Sequence, residues 1–478
     1  MTRQSTNGDA PSPAASDAVP VRRVVTASLA GNMLEWYDFF LYTTAAAMVL
    51  GSVFFPSGGH PLLGTIAALA GHAVGFAARP IGGLVFGHIG DRRGRKTALL
   101  ATISLMGGAT FCMGLLPSYS TAGIVSPLLL VVLRILQGAA AGGEWGGGVL
   151  IITENVPPNR RGFLASFSSC GMGIGFVLSS LALWLAQRAS GDAFAAWGWR
   201  LPFLASAVIF AVGLYIRRNL GETESFEETT ATGAEAVDKA VASETRSPLR
   251  EVLRRHPRQI LFAMALRFAD SGASYIFMSF SLVYGAYVGI TSTVLLWAGI
   301  VGMTVDSVMM VVFGRLSDRV GRRPVYLGGT IGIIVWAVPF FLLMDTGETA
   351  AVWLAFVVGH IAIAAMIGVQ PSYFTELFST RTRYSGMAIG HELSSAVAGG
   401  LSPVAATALL AATGHFLPVA LLTIAMALVA TVALVFFADR TATADMAQDP
   451  SPSASDTSTE TDTHGETTAK RDIGTRVA

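Results

Sequence analysis

The chain of 478 residues carries few charges for a soluble protein, since 13% of its residues are charged and 52% are hydrophobic. Soluble domains are about a quarter charged, so the mean hydropathy of +0.56 indicates a protein of the lipid bilayer. The net charge of +1 gives no indication of a nucleic-acid partner, and the two cysteines lie inside apolar stretches and indicate no disulfide framework.

Apolar stretches long enough to cross a bilayer recur along the chain. A helix needs about 20 such residues to cross a hydrocarbon core of about 30 Å. We therefore predict an all-α membrane protein. Twelve spans are predicted, at 24–50, 61–87, 97–117, 122–152, 163–187, 199–217, 259–288, 292–314, 324–344, 350–372, 384–412 and 414–437.

Basic residues mark one side of the predicted membrane. Arg22 and Arg23 precede the first span, and further basic residues fall between alternate spans, whereas the opposite loops contain Arg188, with Arg200 at an edge. The positive-inside rule then predicts that both termini are cytoplasmic. The first span is too long for a cleaved signal and is expected to remain as an anchor.

The spans divide into two halves with polar segments around them. Neither the linker nor the tails are large enough for a catalytic domain, so no enzyme is expected. The C-terminal tail is rich in Ser, Thr, Asp and Glu and is predicted to be disordered. The predicted segments are a disordered tail 1–22, a six-helix half 23–218, a linker 219–257, a second half 258–437 and a tail 438–478.

A charged motif occurs twice, each time between two spans. Residues 87–96 read Gly-His-Ile-Gly-Asp-Arg-Arg-Gly-Arg-Lys, and residues 314–323 read Gly-Arg-Leu-Ser-Asp-Arg-Val-Gly-Arg-Arg, 227 positions later (314 − 87). Glu35-Trp-Tyr-Asp38 likewise matches Arg267-Phe-Ala-Asp270 at an offset of 232 (267 − 35). These repeats predict a duplicated bundle of six plus six helices. Bundles that bind a ligand at the seam between two such halves are mostly secondary transporters.

Together with Arg134-Ile-Leu-Gln137-Gly138 in the fourth span, the repeated hairpin resembles the major facilitator superfamily. Three further strings resemble its metabolite:proton symporter family: Glu35-Trp-Tyr-Asp38-Phe-Phe-Leu-Tyr42, Ala78-Arg79-Pro80-Ile-Gly-Gly and Gly142-Gly143-Glu144-Trp145-Gly-Gly. The resemblance covers about residues 22 to 437. It implies a fold of twelve helices in two halves, and import of organic acids, shikimate-like compounds or zwitterionic osmolytes together with a proton.

Charged residues inside spans are the candidates for proton coupling. Each costs about 2.5–3.5 kcal/mol at mid-membrane and faces the protein interior or a cavity. At 1.5 Å per residue, Glu35 lies about 18 Å and Asp38 about 22 Å into the first span, and Arg134 about 30 Å into the fourth. We therefore expect an Asp38–Arg134 or Glu35–Arg134 pair, in which the carboxylate alternates between the arginine and a proton. Glu144 is a further candidate. The alternative is a permanent ion pair that orients two helices.

Other polar and aromatic residues in the spans are candidates for a substrate cavity. The arginines favour an anionic substrate, because a carboxylate gives them a charge-assisted partner. Each of these residues could instead serve packing. Arg267 and Asp270 could satisfy one another at i, i+3, and His72 could be a hydrogen-bonded structural residue. The candidates are Tyr37, Tyr42, Arg79, Trp145, Arg267, Asp270, Tyr275, Asp306, His391 and Glu392.

The repeated motif is a candidate for a cytoplasmic gate. An aspartate at such a turn can cap a helix N-terminus or pair with basic residues across the halves. The family resemblance implies that these hairpins are conformational latches, and the alternative is that their charges only set the topology. The residues concerned are Asp91, Arg92, Arg95, Asp318, Arg319 and Arg322.

No cofactor is expected. The string Gly94-Arg95-Lys96-Thr97 lacks the adjacent Gly-Lys of a phosphate loop, so use of ATP is not predicted, and no metal-ligand pattern occurs. We predict a monomeric carrier in a bacterial inner membrane that imports a small organic acid by proton symport. The alternatives are a carrier of a zwitterionic osmolyte, a drug–proton exporter and a nutrient sensor derived from a transporter. The tail 438–478 shows no heptads, which counts against the osmolyte branch.

Overall fold

The chain folds as a helical bundle. A computed structural model describes residues 21–55, 60–93, 95–142, 149–150, 152–153, 156–220, 254, 256–378 and 383–446. These ranges contain helices and no strand, which confirms the predicted all-α class. The segment boundaries proposed for the tails and the linker stay predictions, because most of those residues lie outside the described ranges.

The long helices follow the predicted spans in order. The N-terminal half contains α1 (Val21–Ala45), α2 (Leu63–Arg93), α3 (Arg95–Leu115), α4 (Val125–Ala141), α5 (Arg161–Ser190) and α6 (Arg200–Leu220). The C-terminal half contains α7 (Pro257–Tyr275), α8 (Ser292–Val320), α9 (Arg322–Asp345), α10 (Thr349–Ile367), α11 (Arg383–Ser394) and α12 (Leu417–Met446). Short helices continue α1, α7, α10 and α11 at Gly51–Phe54, Ser281–Tyr287, Gln370–Leu377 and Gly400–Thr413.

Nine helical stretches in the described residues are long and apolar enough to cross a membrane, and α3 and α4 contribute the shorter apolar helices Leu100–Leu115 and Val125–Ala141. Two features of the described helices were not predicted. The helix α12 continues to Met446, so the residues 438–446 of the predicted tail are helical, as its alanines favour. The second charged motif is mostly helical, and only Gly321, with a φ of 93°, forms the turn between α8 and α9.

The π-helical turns recur at matching positions of the two halves. One at Ala46–Leu50 ends α1, and one at Ile276–Phe280 ends α7, an offset of 230 (276 − 46). A third, Ser395–Gly399, separates α11 from its continuation, and a fourth, Phe194–Gly198, lies between α5 and α6. Single π turns inserted into α-helices are frequent at functional sites. The first three adjoin helices that contribute residues to the buried charges described below.

The two halves meet along two helix pairs. On one side α5 packs on α8, and a Cβ added to Gly173 of α5 would lie 1.9 Å from Oγ of Ser307. On the other side α2 packs on the continuation of α11, where a Cβ on Gly400 would lie 3.2 Å from Cα of Ala73. The seam between the halves therefore consists of close helix contacts, and the charged residues lie along it.

Candidate functional site

A buried ion cluster joins the two halves at the seam. Arg79 of α2 donates from Nε to Oε2 of Glu392 on α11 and from Nη2 to Oε1 of Glu35 on α1, each at 2.7 Å. All three residues are buried. Glu35 thus pairs with Arg79, a partner that the sequence analysis did not consider. The prediction used only the depth of each residue in the membrane. The partner of a buried charge also depends on which neighbouring helix its side of the helix faces.

Asp38 lies in a second buried cluster, inside the N-terminal half. Its Oδ2 accepts a hydrogen bond from the Thr110 hydroxyl at 2.7 Å, and Gln137 Nε2 donates to that hydroxyl at 2.8 Å. Oδ1 of Asp38 has no partner among the described residues. Arg134 donates to Oε1 of Gln137, so Arg134 and Asp38 are connected through the glutamine and the threonine.

The structure therefore corrects the prediction of a direct ion pair between Asp38 and Arg134. The guanidinium of Arg134 lies over the Tyr42 ring, with its central carbon 4.0 Å from the ring centroid, and its Nε donates to the carbonyl of Gly71 at 3.3 Å. An aromatic face and a carbonyl oxygen satisfy much of the buried cation. Arg134 is thereby held beside the carboxylate without bonding to it.

The C-terminal half contains a corresponding cluster around Asp270. Oδ1 of Asp270 accepts a hydrogen bond from Arg267 at 3.2 Å, and Oδ2 accepts from Tyr326 at 3.3 Å and from Gln370. Arg267 also donates to Gln370 Oε1 at 3.1 Å and to the Ser395 hydroxyl at 3.0 Å. Arg267 and Asp270 therefore satisfy one another, as the sequence alternative proposed.

A narrow cavity lies at the seam beside Arg267 and His391. Nδ1 of His391 lies 3.1 Å from Oε1 of Glu392, so the histidine connects this cavity to the Arg79 cluster. The Trp36 ring stacks on Phe40, with centroids 5.2 Å apart. The cavity is lined by Asn32, Trp36, Ser169, Met172, Arg267, Ile367, Gln370 and His391.

His72 and Tyr275 form an aromatic contact between the halves. Their ring centroids lie 4.8 Å apart, and Phe76 packs on both. Nδ1 of His72 lies 2.9 Å from the Thr43 hydroxyl and 3.5 Å from Arg134 Nη2. Nε2 of His72 and the hydroxyl of Tyr275 are buried and have no hydrogen-bond partner among the described residues.

Three other cavity candidates form no hydrogen bond to the charged residues of these clusters. The Tyr37 hydroxyl donates to the carbonyl of Pro202 on α6 at 3.3 Å, and the Tyr42 hydroxyl donates to that of Ala68 at 2.8 Å. Asp306 is fully buried on α8, and both carboxyl oxygens lack a partner among the described residues. Glu144 and Trp145 lie outside the described residues.

At the end of the bundle that carries the repeated hairpins, Asp318 connects the halves. Its two carboxylate oxygens accept hydrogen bonds from the backbone N–H groups of Gly162 and Phe163, at 2.8 and 2.9 Å. These residues begin α5 in the other half, so Asp318 caps a helix N-terminus across the seam. Arg322 donates to Asp318 at 2.7 Å and also pairs with Glu376.

The rest of the predicted gate is less defined. Arg319 is exposed, and the side chains of Asp91, Arg92 and Arg95 lie outside the description. At the opposite end of the bundle, Gln187 of α5 donates to the Ser292 hydroxyl of α8 at 2.7 Å, and the Trp184 and Trp297 rings contact at 5.4 Å. The helices α5 and α8 of the two halves are therefore in contact at both ends of the bundle.

Four polar partners were missed as site residues: Thr110, Tyr326, Gln137 and Gln370. A signal for two of them is present in the sequence, since Gln137 and Gln370 are 233 positions apart (370 − 137), nearly the offset of 232 between Asp38 and Asp270. The hydroxyl-bearing partners, a threonine in one half and a tyrosine in the other, share no residue type that a repeat search would detect.

The sequence of the chain resembles those of known membrane transporters. The Major Facilitator Superfamily model matches residues 29–390 and, again, 260–471. Over 394 residues the chain is 39% identical to the Shikimate transporter of Escherichia coli (strain K12), covering 81% of this chain and 88% of the relative. It is 34% identical over 394 residues to the Proline/betaine transporter of the same strain, covering 81% of this chain and 77% of the relative.

Two further proteins extend the comparison. The chain is 36% identical over 388 residues to the inner membrane metabolite transport protein YhjE of Escherichia coli (strain K12), covering 80% of this chain and 86% of the relative. The partially occluded inward open conformation of the xylose transporter XylE from E. coli superposes with a TM-score of 0.65 at 16% identity, covering 87% of this chain and 96% of the other. At this identity the likeness concerns the fold alone.

Proposed function

The chain belongs to the Major Facilitator Superfamily, which confirms the resemblance of its motifs, and on that premise we propose that it imports a small organic acid by proton symport. As a member of this family it is a multi-pass membrane transporter and not an enzyme. Its two six-helix halves, with charges at the seam, support alternating access to a site between them.

The observation that carries the proposal is an excess of acids among the buried charges. Among the residues that the structure describes, three arginines and five carboxyl groups are buried, and a charge buried without a counter-charge is costly in a bilayer. Two of the five acids lack a cation, so binding of protons is the available means of neutralising them. The residues are Arg79, Arg134 and Arg267 with Glu35, Asp38, Asp270, Asp306 and Glu392.

Among these acids we propose Asp38 as the coupling residue. It is fully buried, and one of its oxygens has no partner among the described residues. Arg134 is near enough to influence it through Gln137 and yet forms no bond to it. A carboxyl in this setting can change between a protonated and an ionised form with small movements of its neighbours. Glu35, Arg134 and Glu144 remain in the proposed coupling set.

An anionic substrate is supported by the arginines and by one relative's name. Shikimate is a carboxylic acid, and the Shikimate transporter is 39% identical to this chain over 394 residues. The cavity at the seam adjoins Arg267 and, through His391 and Glu392, Arg79. A carboxylate would give either guanidinium a charge-assisted partner.

The second candidate is a carrier of a zwitterionic osmolyte. Trp36 lines the cavity and stacks on Phe40, and aromatic faces attract quaternary ammonium groups. The Proline/betaine transporter is 34% identical to this chain. A betaine also carries a carboxylate, so both candidates use the same arginines and differ in the need for an aromatic contact.

We propose that the hairpin end is cytoplasmic and that Asp318 stabilises its closed form. Opening this end requires loss of the two hydrogen bonds from Gly162 and Phe163. Both termini would then lie in the cytoplasm of a bacterium, with the chain a monomer in the inner membrane. It would need no cofactor, ATP or nucleic acid, since the proton gradient drives uptake.

The test is proton movement in proteoliposomes of the purified protein, followed by a pH-sensitive dye outside. A panel of carboxylic acids, glycine betaine and apolar cations is added externally. Alkalinisation with a carboxylic acid supports the proposal, and alkalinisation with glycine betaine alone supports the osmolyte carrier. Acidification with apolar cations would show an exporter. No proton movement with any solute would contradict symport of these classes.

A further inference from the structure

We propose that Arg79 anchors the carboxylate of the substrate and that Glu392 occupies this anchor until the substrate displaces it. The inference rests on the proposed function and deepens it by naming the carboxylate site. Arg79 is fully buried on α2 in the N-terminal half, and Glu392 lies on α11 in the C-terminal half.

The hydrogen bonds of Arg79 leave one end of its guanidinium available. Nε and Nη2 bind Glu392, at 2.7 and 3.4 Å, and Nη2 also binds Glu35 at 2.7 Å. Nη1 is buried and has no partner among the described residues. A buried donor of a charged group that remains unsatisfied costs more than a neutral one. A carboxylate from a ligand would satisfy it with the planar geometry that arginine favours.

Two more polar atoms without a described partner belong to side chains that contact the Phe76 ring, as Arg79 does. Phe76 contacts the rings of His72 and Tyr275, at centroid distances of 4.9 and 5.6 Å, and the guanidinium carbon of Arg79 lies 5.3 Å from its centroid. Nε2 of His72 and the hydroxyl of Tyr275 lack partners among the described residues.

All three atoms can donate hydrogen bonds. Nδ1 of His72 lies 2.9 Å from the Thr43 hydroxyl, which donates to the carbonyl of Phe39, and 3.5 Å from Nη2 of Arg134. Nε2 of His72 donates in one neutral tautomer of the ring and accepts in the other. Tyr275 carries a hydroxyl proton, and Nη1 of Arg79 carries two. A cluster of donors beside a cation, bounded by aromatic rings, fits a carboxylate with a neighbouring hydroxyl or other acceptor.

The position of Glu392 makes it the displaceable acid. Glu35 lies in the same half as Arg79, so their pair survives a relative movement of the halves. The Arg79–Glu392 pair crosses the seam and breaks when the halves separate there. Glu392 also has His391 at 3.1 Å as another hydrogen-bond partner. If a displaced Glu392 takes up a proton, exchange of one carboxylate for another leaves the charge around Arg79 unchanged.

The test measures counterflow of labelled shikimate in proteoliposomes at equal pH on both sides, with shikimate and its neutral methyl ester as competitors. Glu392→Gln should bind shikimate several-fold more tightly, because the internal competitor is removed. The double variant Arg79→Gln/Glu392→Gln leaves the net charge of the cluster unchanged. It should bind shikimate at least about tenfold more weakly than Glu392→Gln and lose the preference for the acid over the ester.

Arg200→Gln is the matched control, since Arg200 lies away from the seam and bonds to the carbonyl of Leu116. It should keep the wild-type preference, and thermal unfolding of each variant in detergent shows that it is folded. A folded double variant that still prefers the acid, or a Glu392→Gln variant that binds shikimate more weakly, would overturn this inference alone. A wild type that carries neither shikimate nor any other carboxylate would overturn the proposed function together with it.

Discussion

The clusters around Asp38 and Asp270 occupy equivalent places in the two halves and differ in how the carboxylate is satisfied. Each has its aspartate on the first helix of its half, a glutamine 99 or 100 residues later (137 − 38, 370 − 270), and a hydroxyl donor on the third helix. In both, an arginine donates to the glutamine oxygen.

The difference lies in the bonds to the acid itself. Asp270 accepts hydrogen bonds on both oxygens, including one from Arg267. Asp38 accepts from Thr110 on one oxygen, and its other oxygen has no described partner. A dry interior accommodates an ionised carboxylate when its acceptors are filled. This difference supports the proposal that the copy around Asp270 is a permanent ion pair and that the copy around Asp38 exchanges a proton.

The largest effect is expected from Asp38→Asn. The amide cannot ionise, so accumulation of substrate against its gradient should be lost completely while counterflow continues. Uptake into proteoliposomes with an imposed pH gradient measures the first, and exchange at equal pH measures the second. Asp192→Asn, an exposed acid between α5 and α6, is the matched control and should accumulate substrate normally. Undiminished accumulation by Asp38→Asn would remove Asp38 from the coupling role.

Asp270→Asn should instead lower the stability of the folded protein. It leaves the buried Arg267 without its counter-ion, and breaking a buried pair from one side costs about 3–5 kcal/mol. Thermal unfolding in detergent measures the loss. The double variant Arg267→Gln/Asp270→Asn should recover most of the stability, because no unpaired charge remains. If the single variant unfolds at the wild-type temperature, the comparison between a structural and an exchanging copy fails.

The two copies of the charged hairpin, with Asp91 in one and Asp318 in the other, can be compared in the same way at the proposed gate. Asp318→Asn weakens a helix cap worth about 0.5–2 kcal/mol, which corresponds to an increase of up to about 30-fold in opening of that end. Cys170 is buried at the seam, where its Sγ lies 3.4 Å from the carbonyl of Ser307, and its alkylation rate reports opening in a Cys112→Ala background. Equal rates for Asp91→Asn and Asp318→Asn would indicate two equivalent latches. An Asp318→Asn rate equal to wild type would contradict the gate.

The smallest effect is expected from removing the hydroxyl donors, Thr110 in one cluster and Tyr326 in the other. Thr110→Val removes the described donor to Asp38, and a typical hydrogen bond is worth about 0.5–1.5 kcal/mol, so the rate of proton-driven uptake should change by about two- to tenfold. Tyr326→Phe leaves Asp270 with Arg267 and Gln370 as donors and should leave that rate unchanged. Initial rates of uptake measure both. An equal response of the two variants would contradict the functional difference between the clusters.

The sequence predicts the fold well and the site in part. The position of a span depends on the hydropathy of one continuous segment, and α1 to α12 of the described residues each overlap one predicted span. A charge in lipid is costly, so the sequence indicated that Arg79, Arg267 and Glu392 are buried in the protein. It did not indicate their partners, because Arg79 and Glu392 are 313 positions apart and meet only through the packing of two halves. The expected Asp38–Arg134 pair is absent for a different reason, since depth along a helix does not specify which side of it faces the neighbouring helix.

The close packing of α2 on α4 has a mechanical consequence. A Cβ on Gly138 would lie 1.9 Å from the carbonyl oxygen of Gly75, and one on Gly142 would lie 2.0 Å from that of Arg79. Close-packed interiors transmit strain, so we expect the two helices to move together. A displacement of Arg79 at the seam should then also displace Arg134 beside Asp38.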